Sequence, residues 1–107
     1  MKKYKVIVTP RAQQDIKAYV DYIKNTFKNP QAARSLFEDY VKTRKALSLM
    51  AEPIREQDSE LLKRRGLKRI NFRNHDYFML FWIDCNNIVR ITNIFHDLED
   101  FERKLDR

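Results

Sequence analysis

The feature that most constrains the fold of this chain is an uninterrupted apolar stretch, Tyr77–Ile83. Successive residues of a strand point to opposite faces, so a strand formed here would be hydrophobic on both sides. Strands of this kind are central strands that other elements cover on each face. The sequence therefore predicts a sheet with this segment inside it and a layer of structure on both sides.

Three other segments are typical of strands. Tyr4–Thr9 alternates and is rich in β-branched residues, Leu67–Arg73 alternates between polar and apolar positions, and Ile88–Phe95 is largely apolar. Short polar turns at 74–76 and 84–87 separate the last three strands. We therefore expect these three to form an antiparallel meander.

Two helices are predicted between the first strand and the meander. Thr9-Pro10 and Asn29-Pro30 each combine a capping side chain with a proline at the first helical position. Apolar residues then recur three and four apart, the second run ending before Pro53. The short connection predicts an antiparallel hairpin, in which Tyr19, Tyr22 and Tyr40 are expected to pack in the core or between helices.

The remaining segments complete an α+β fold with the order β-α-α-β-β-β-α. Asp58 is expected to cap a short helical turn through Ser59–Arg65, and Gly66 to end it. Leu98, Phe101 and Leu105 predict a short C-terminal helix. At 107 residues the chain fits one domain, 1–107, with an N-terminal strand, an antiparallel helical hairpin, a three-strand antiparallel meander and a closing helix.

Composition excludes several classes of protein. No apolar run approaches membrane-span length, and the apolar stretch before Pro10 is too short for a signal peptide. The single cysteine, Cys85, lies in a predicted turn and is expected to be an inert surface residue, which favours a reducing cytoplasm. One Cys with His75 and His96 matches no metal-ligand spacing, so neither a metal nor another cofactor is expected.

The formal net charge is +7, and its densest part is a basic block within residues 63–73 that contains no acidic residue. Its members are Lys63, Arg64, Arg65, Lys68, Arg69 and Arg73. A field of this sign attracts nucleic acid or an acidic protein segment. The alternative is an ordinary solvated surface.

Four residues of the predicted sheet could form a phosphate site. Arg69 and Arg73 fall on the same face of one predicted strand, Arg90 lies on the last strand, and His96 follows it. Guanidinium groups bind phosphate and stabilise its transition state, while histidine transfers protons near neutral pH. RNA supplies its own 2′-hydroxyl nucleophile, so no metal is needed. The alternatives are a strand-end His96 bonded only to backbone and an ordinary turn at His75.

The chain also resembles the RelE/ParE superfamily of bacterial type II toxins over nearly its whole length. The resemblance is carried by residues 4–12, Asp15-Ile16, Tyr22-Ile23, Pro30 with Ala32-Ala33, residues 49–53, 66–70, 77–83 and 91–97. It implies a small sheet packed on an N-terminal helical hairpin. It also implies a co-encoded antitoxin whose acidic C-terminal segment wraps the toxin.

The resemblance implies two alternative activities. The RelE-like and YoeB-like branch cleaves mRNA on the ribosome, and Arg69 in Lys68-Arg69-Ile70 is similar to an active-site arginine of YoeB-type toxins. Glu52 before Pro53 loosely resembles their glutamate, a possible base. The ParE-like branch inhibits DNA gyrase and is not a nuclease. The long hairpin is similar to ParE, whereas residues 93–97 align with the mRNA-cleaving branch, although acidic residues follow His96 where relatives carry arginines or a tyrosine.

The sequence hypothesis is a cytoplasmic type II toxin that cleaves mRNA on the ribosome. Arg69 and Arg73 would hold the phosphate and His96 would act as general acid or base. RNA-binding residues would be Lys63, Arg64, Arg65, Lys68 and Arg90. The alternatives are a gyrase inhibitor and an inactive relative that only binds antitoxin. The expected partners are the antitoxin and either the ribosome with mRNA or gyrase, with no membrane contact and with DNA reached only through the antitoxin complex.

Overall fold

The computed structural model describes residues 3–51 and 59–105. These ranges contain the following elements: β1 Lys5–Val8, α1 Pro10–Asn25, α2 Pro30–Met50, α3 Glu60–Arg65, β2 Lys68–Asn71, β3 Tyr77–Ile83, β4 Ile88–His96 and α4 Phe101–Leu105. The α+β class and the predicted order of elements are confirmed. None of the helices within the placed ranges has the length and apolar character needed to cross a bilayer.

The strands form one sheet in the order β1-β4-β3-β2. β2, β3 and β4 make the predicted antiparallel meander, and β1 pairs in parallel with β4, with Val6 opposite Val89. β3 therefore lies inside the sheet, as its two apolar faces predicted. A register shift between Leu80 and Phe81 leaves Thr92 as an extra residue in β4, because Leu80 faces Asn93 and Phe81 faces Ile91.

Local capping fixes where the two long helices begin. The Thr9 hydroxyl accepts a hydrogen bond from the Ala12 N–H and donates one to the Ile91 carbonyl at 2.9 Å, so the cap also ties α1 to β4. The Asn29 side chain accepts from the Ala32 N–H at 3.0 Å. Both helices start at proline, as the sequence predicted.

The two faces of the sheet have separate cores. The hairpin face is covered by α1 and α2, and there Met79 and Phe81 of β3 are fully buried. The second face is covered by α3 and α4, and there Phe78 and Leu80 are buried beside Leu62. Alternate residues of one strand thus build two hydrophobic layers.

Three sequence predictions need correction. Tyr22 is 55% exposed and packs edge-on against Phe27 instead of entering the core. The short helix α3 is capped by Ser59, whose hydroxyl accepts from the Leu62 N–H, while Asp58 lies outside the described residues. β2 ends at Asn71, two residues before the predicted limit. Gly66 ends α3 in a left-handed conformation, as predicted.

Candidate functional site

A cleft of about 460 Å³ opens beside the end of β4 and contains the predicted catalytic histidine. His96 is the last residue of β4 and lies opposite Tyr77, the first residue of β3. Tyr77 packs edge-on against Tyr19 of α1, with ring centroids 5.0 Å apart, so this pair lies on the hairpin face. We call this site the His96 cleft; it is lined by Ala18, Tyr19, Tyr22, Tyr77, His96, Glu99 and Lys104.

The imidazole of His96 is held by two neighbours. Its ring meets Tyr77 edge-on, with centroids 4.7 Å apart, and its Nδ1 accepts a hydrogen bond from the Leu98 N–H at 3.0 Å. This bond assigns the proton of the neutral ring to Nε2, leaving no free lone pair for a general base. The geometry is that of a strand-end histidine bonded to backbone.

Glu99 closes a network across the cleft. Its carboxylate accepts hydrogen bonds from the Tyr19 hydroxyl and from the His96 backbone N–H, and it pairs with Lys104. Burial raises the pKa of Tyr19, and the Glu99 carboxylate raises it further. Burial opposes ionisation of Glu99, but hydrogen bonds from Lys104 and Tyr19 lower its pKa overall. At neutral pH Tyr19 is therefore protonated, and the Glu99 carboxylate beside it is ionised and already paired with Lys104.

Arg69 lies on the second face of the sheet, away from the His96 side chain. It is opposite Leu80 in the ladder, and its guanidinium stacks 3.8 Å from the centroid of the Phe78 ring. Its Nη2 lies 3.0 Å from Asp97 Oδ1. The charge of this arginine is therefore matched by a carboxylate within the protein.

Arg73 lies beyond the end of β2, against α2. Its backbone N–H donates to the Asp39 carboxylate, which turns the chain away from the strand. The side chain lines a groove of about 380 Å³ that we call the α2 groove, together with Lys42, Lys45, Ala46, Leu49 and Met50. Arg69 and Arg73 therefore do not share a strand face, because β2 ends before Arg73.

The other predicted RNA-binding residues are dispersed. Arg90 lies on β4, where its Nε is 3.2 Å from Asp84 Oδ2 and its guanidinium is 5.9 Å from the centroid of the Trp82 ring. Lys63, Arg64 and Arg65 form the exposed last turn of α3, where positive charges interact favourably with the helix dipole. Lys68 begins β2. Glu52 lies outside the described residues.

The structure does not bring the three predicted catalytic residues into one cleft. His96 faces α1, Arg69 faces the opposite side of the sheet, and Arg73 lies against α2. The sequence pattern missed Glu99 and Lys104 as partners of the His96 cleft. The three-residue spacing of His96 and Glu99 at a strand end was the available signal, since a side chain there can reach back to a backbone N–H.

A four-stranded sheet between a helical hairpin and two short helices, with charged clefts at its margins, defines a small α+β protein of RelE/ParE architecture. Residues 6–101 match the family described as ParE toxin of type II toxin-antitoxin system, parDE. The chain belongs to this family, and so it is a type II toxin-antitoxin toxin of the ParE/RelE group.

Solved structures show the same fold. One is the chromosomal ParDE toxin-antitoxin system from P. aeruginosa, with 19% identity and a TM-score of 0.74, covering 90% of this chain and 98% of that one. Another is the toxin-antitoxin complex RelBE2 from Mycobacterium tuberculosis, with 21% identity and a TM-score of 0.55, covering 88% and 98%. No curated protein sequence matches the chain.

Proposed function

We propose that this toxin inhibits DNA gyrase by binding it and does not cleave RNA. The observation that carries the proposal is that the side chains of His96 and Arg69 lie on opposite faces of the sheet. RNA cleavage needs a proton-transfer group and a cation on the same phosphate, within hydrogen-bond distance. Lys104 also lines the His96 cleft, but it is already paired with Glu99. The match to the ParE family supports the same conclusion, because the sequence resemblance links that branch to gyrase.

The tip of the helical hairpin is the surface that best fits a protein target. Tyr22 and Phe27 lie there in an edge-on pair with centroids 5.2 Å apart, and they are 55% and 65% exposed. Exposed aromatic side chains are the residues most enriched at protein interfaces and at their energetic hot spots. We assign the gyrase contact to this aromatic pair.

A gyrase supercoiling assay and a cell-free translation assay with purified protein test this function. The protein is expected to block supercoiling and to leave translation unchanged. Phe27→Ala should weaken inhibition at least tenfold, since hot-spot truncations cost about 2 kcal/mol or more. Leu98→Ala, which truncates a residue that is 89% exposed, is the matched control and should behave as wild type.

The same two assays separate binding from nuclease chemistry. Arg69→Ala should retain gyrase inhibition because Arg69 lies on the opposite face of the sheet. His96→Ala should also retain it, because the contact is assigned to the Tyr22–Phe27 pair and not to the His96 cleft that Tyr22 also lines. If the wild-type protein stops translation and either substitution restores it, the mRNA-cleaving alternative is established and the gyrase proposal is rejected.

The α2 groove fits the acidic, amphipathic segment expected of a cognate antitoxin. Within the described residues, Lys42, Lys45 and Arg73 form no ion pair, and next to them Leu49 and Met50 are 49% and 42% exposed. Unpaired cations beside apolar side chains complement a helix with one acidic and one apolar face. This pairing also agrees with the two solved relatives, which are toxin-antitoxin complexes.

Charge reversal tests the α2 groove. Lys45→Glu should weaken binding of the acidic protein encoded beside this gene by at least tenfold, because it replaces an attractive contact with a repulsive one. Lys24→Glu makes the same charge change at an exposed lysine of α1, outside the groove, and serves as the control. Equal losses in the two variants would mean that only net charge matters, and the groove would be rejected.

A further inference from the structure

The second face of the sheet carries a cavity of about 520 Å³ that none of the proposed activities uses. It is lined by Arg65, Leu67, Trp82, Thr92, Asn93 and Leu105. Its volume falls within the range of pockets that bind small molecules. The two sites share no lining residue, although α4 contributes Lys104 to the His96 cleft and Leu105 to this cavity.

A β-bulge shapes this cavity. Thr92 is the extra residue of β4, and as a result both Thr92 and its neighbour Asn93 border the same cavity. In a regular strand, neighbouring side chains point to opposite faces. Bulges of this kind are common beside functional sites because they redirect a side chain.

Asn93 is the informative residue of the cavity. It is 9% exposed, and it borders the cavity. Within the described residues, every fully buried side-chain nitrogen or oxygen has a hydrogen-bond partner. A side-chain amide carries both donors and an acceptor. An amide at the wall of the cavity can therefore form hydrogen bonds with a ligand there.

The neighbouring side chains indicate the chemistry of that ligand. Trp82 is 38% exposed and offers an aromatic surface, with Arg90 5.9 Å from its ring centroid. Arg65, at the end of α3, adds positive charge to the wall. An aromatic surface stacks on a planar base, an amide pairs with the donor and acceptor on the edge of that base, and a guanidinium binds phosphate.

We propose that this cavity binds a nucleotide, with the base stacked on Trp82 and hydrogen-bonded by Asn93, and the phosphate next to Arg65. Two sources carry this chemistry: a free mononucleotide and an unstacked base in a single strand. The proposal is independent of gyrase inhibition, because the aromatic pair at the hairpin tip shares no residue with the cavity.

The sequence supplies a built-in reporter for this site. Trp82 is the only tryptophan in the chain, so intrinsic tryptophan fluorescence reports on the cavity alone. The full-length protein would be titrated with each mononucleotide, with short single-stranded DNA and RNA, and with ribose 5-phosphate. Excitation at the red edge of tryptophan absorption avoids absorption by the bases. Saturable quenching by nucleotides, and none by ribose 5-phosphate, is the expected result.

The two sources give different titrations. Equal affinity for a mononucleotide and for an oligonucleotide of the same base identifies a free nucleotide as the ligand. Tighter binding of the oligonucleotide identifies a base within a strand. No quenching by either, or equal quenching by ribose 5-phosphate, overturns the proposal.

Substitutions separate a binding role of Asn93 from a structural one. Asn93→Leu should weaken nucleotide binding about tenfold while leaving the thermal unfolding midpoint nearly unchanged, because it removes the amide that would pair with the base and keeps an uncharged side chain of similar shape. If Asn93 were structural, the unfolding midpoint would fall and binding would not change, which contradicts the proposal.

Arg65→Gln and Arg64→Gln form a matched pair for the phosphate contact. Both residues lie in the last turn of α3 and lose the same charge, but only Arg65 lines the cavity. Arg65→Gln should weaken nucleotide binding several-fold more than Arg64→Gln. Equal effects would indicate non-specific attraction of phosphate and reject the assigned contact.

Discussion

At the scale of single residues, a buried carboxylate holds the β2–β3 turn onto α2. Asp39 is 2% exposed, and it accepts hydrogen bonds from the backbone N–H groups of Arg73 and Asn74 and from His75 Nδ1 at 2.7 Å. The other ring nitrogen of His75 lies 3.3 Å from the Ser35 hydroxyl. The turn therefore depends on a side chain that is more than thirty residues away in the chain.

Replacing Asp39 by Asn is expected to lower the free energy of unfolding by about 1–3 kcal/mol, because the amide cannot accept all three hydrogen bonds. Denaturant unfolding measures this change. Asp21→Asn, at a half-exposed carboxylate paired with Lys17, is the control and should change stability by less than about 1 kcal/mol. Equal effects of the two substitutions would contradict the proposed role.

The same carboxylate predicts a pH dependence. Burial opposes ionisation of Asp39, but hydrogen bonds from His75, Asn74 and Arg73 lower its pKa below the ordinary value. A lowered pKa stabilises the fold above the unfolded-state pKa, and this contribution is lost as the pH falls through the folded-state pKa. The stability gap between wild type and Asp39→Asn should therefore shrink in acid. A gap that stays constant to low pH would exclude this linkage.

The residue-scale contacts explain why the site was only partly predictable. The sequence predicted His96 at a strand end, with a hydrogen bond to the backbone as one alternative, and the imidazole does accept a hydrogen bond from the Leu98 N–H. The sequence could not show that Arg69 stacks on Phe78 of the neighbouring strand, because that contact depends on the register of β2 with β3. The contact between Asp39 and His75 is also tertiary. The sequence around His75 predicted only a polar turn and gave no sign of this partner.

At the scale of elements, the helix starts and the central strand were predictable because their causes are local. Thr9 with Pro10 and Asn29 with Pro30 are capping signals that need no tertiary information. The parallel pairing of β1 with β4 joins segments about eighty residues apart and has no local signal. The bulge at Thr92 could not be predicted either, because nothing in the sequence pattern of β4 marks the extra residue.

At the scale of the whole molecule, the sheet separates two cores of different construction. The hairpin face is covered by helices of 16 and 21 residues, whereas the second face is covered by helices of 6 and 5 residues. Short helices are not stable alone and depend on the apolar contacts beneath them. The cover of the second face, which also borders the nucleotide cavity, should therefore open more easily than the hairpin.

Two phenylalanines of β3 test this difference with the same substitution. Phe81 is fully buried on the hairpin face, and Phe78 is 1% exposed on the second face, where it packs edge-on against Phe101 of α4. Phe81→Ala should lower the global free energy of unfolding by about 3–5 kcal/mol. In native-state hydrogen exchange, this loss should accelerate the most protected amides of the sheet and hairpin.

Phe78→Ala should instead accelerate exchange selectively in α3 and α4, because it removes the contact that anchors the short helices while the hairpin core stays intact. Phe78→Ala would also remove the ring on which the Arg69 guanidinium stacks, and so one of the two contacts that hold this side chain; the other is its ion pair with Asp97. Uniform acceleration of every amide by both variants would mean that the molecule opens as one unit. In that case the second face would not be a separate layer of the molecule.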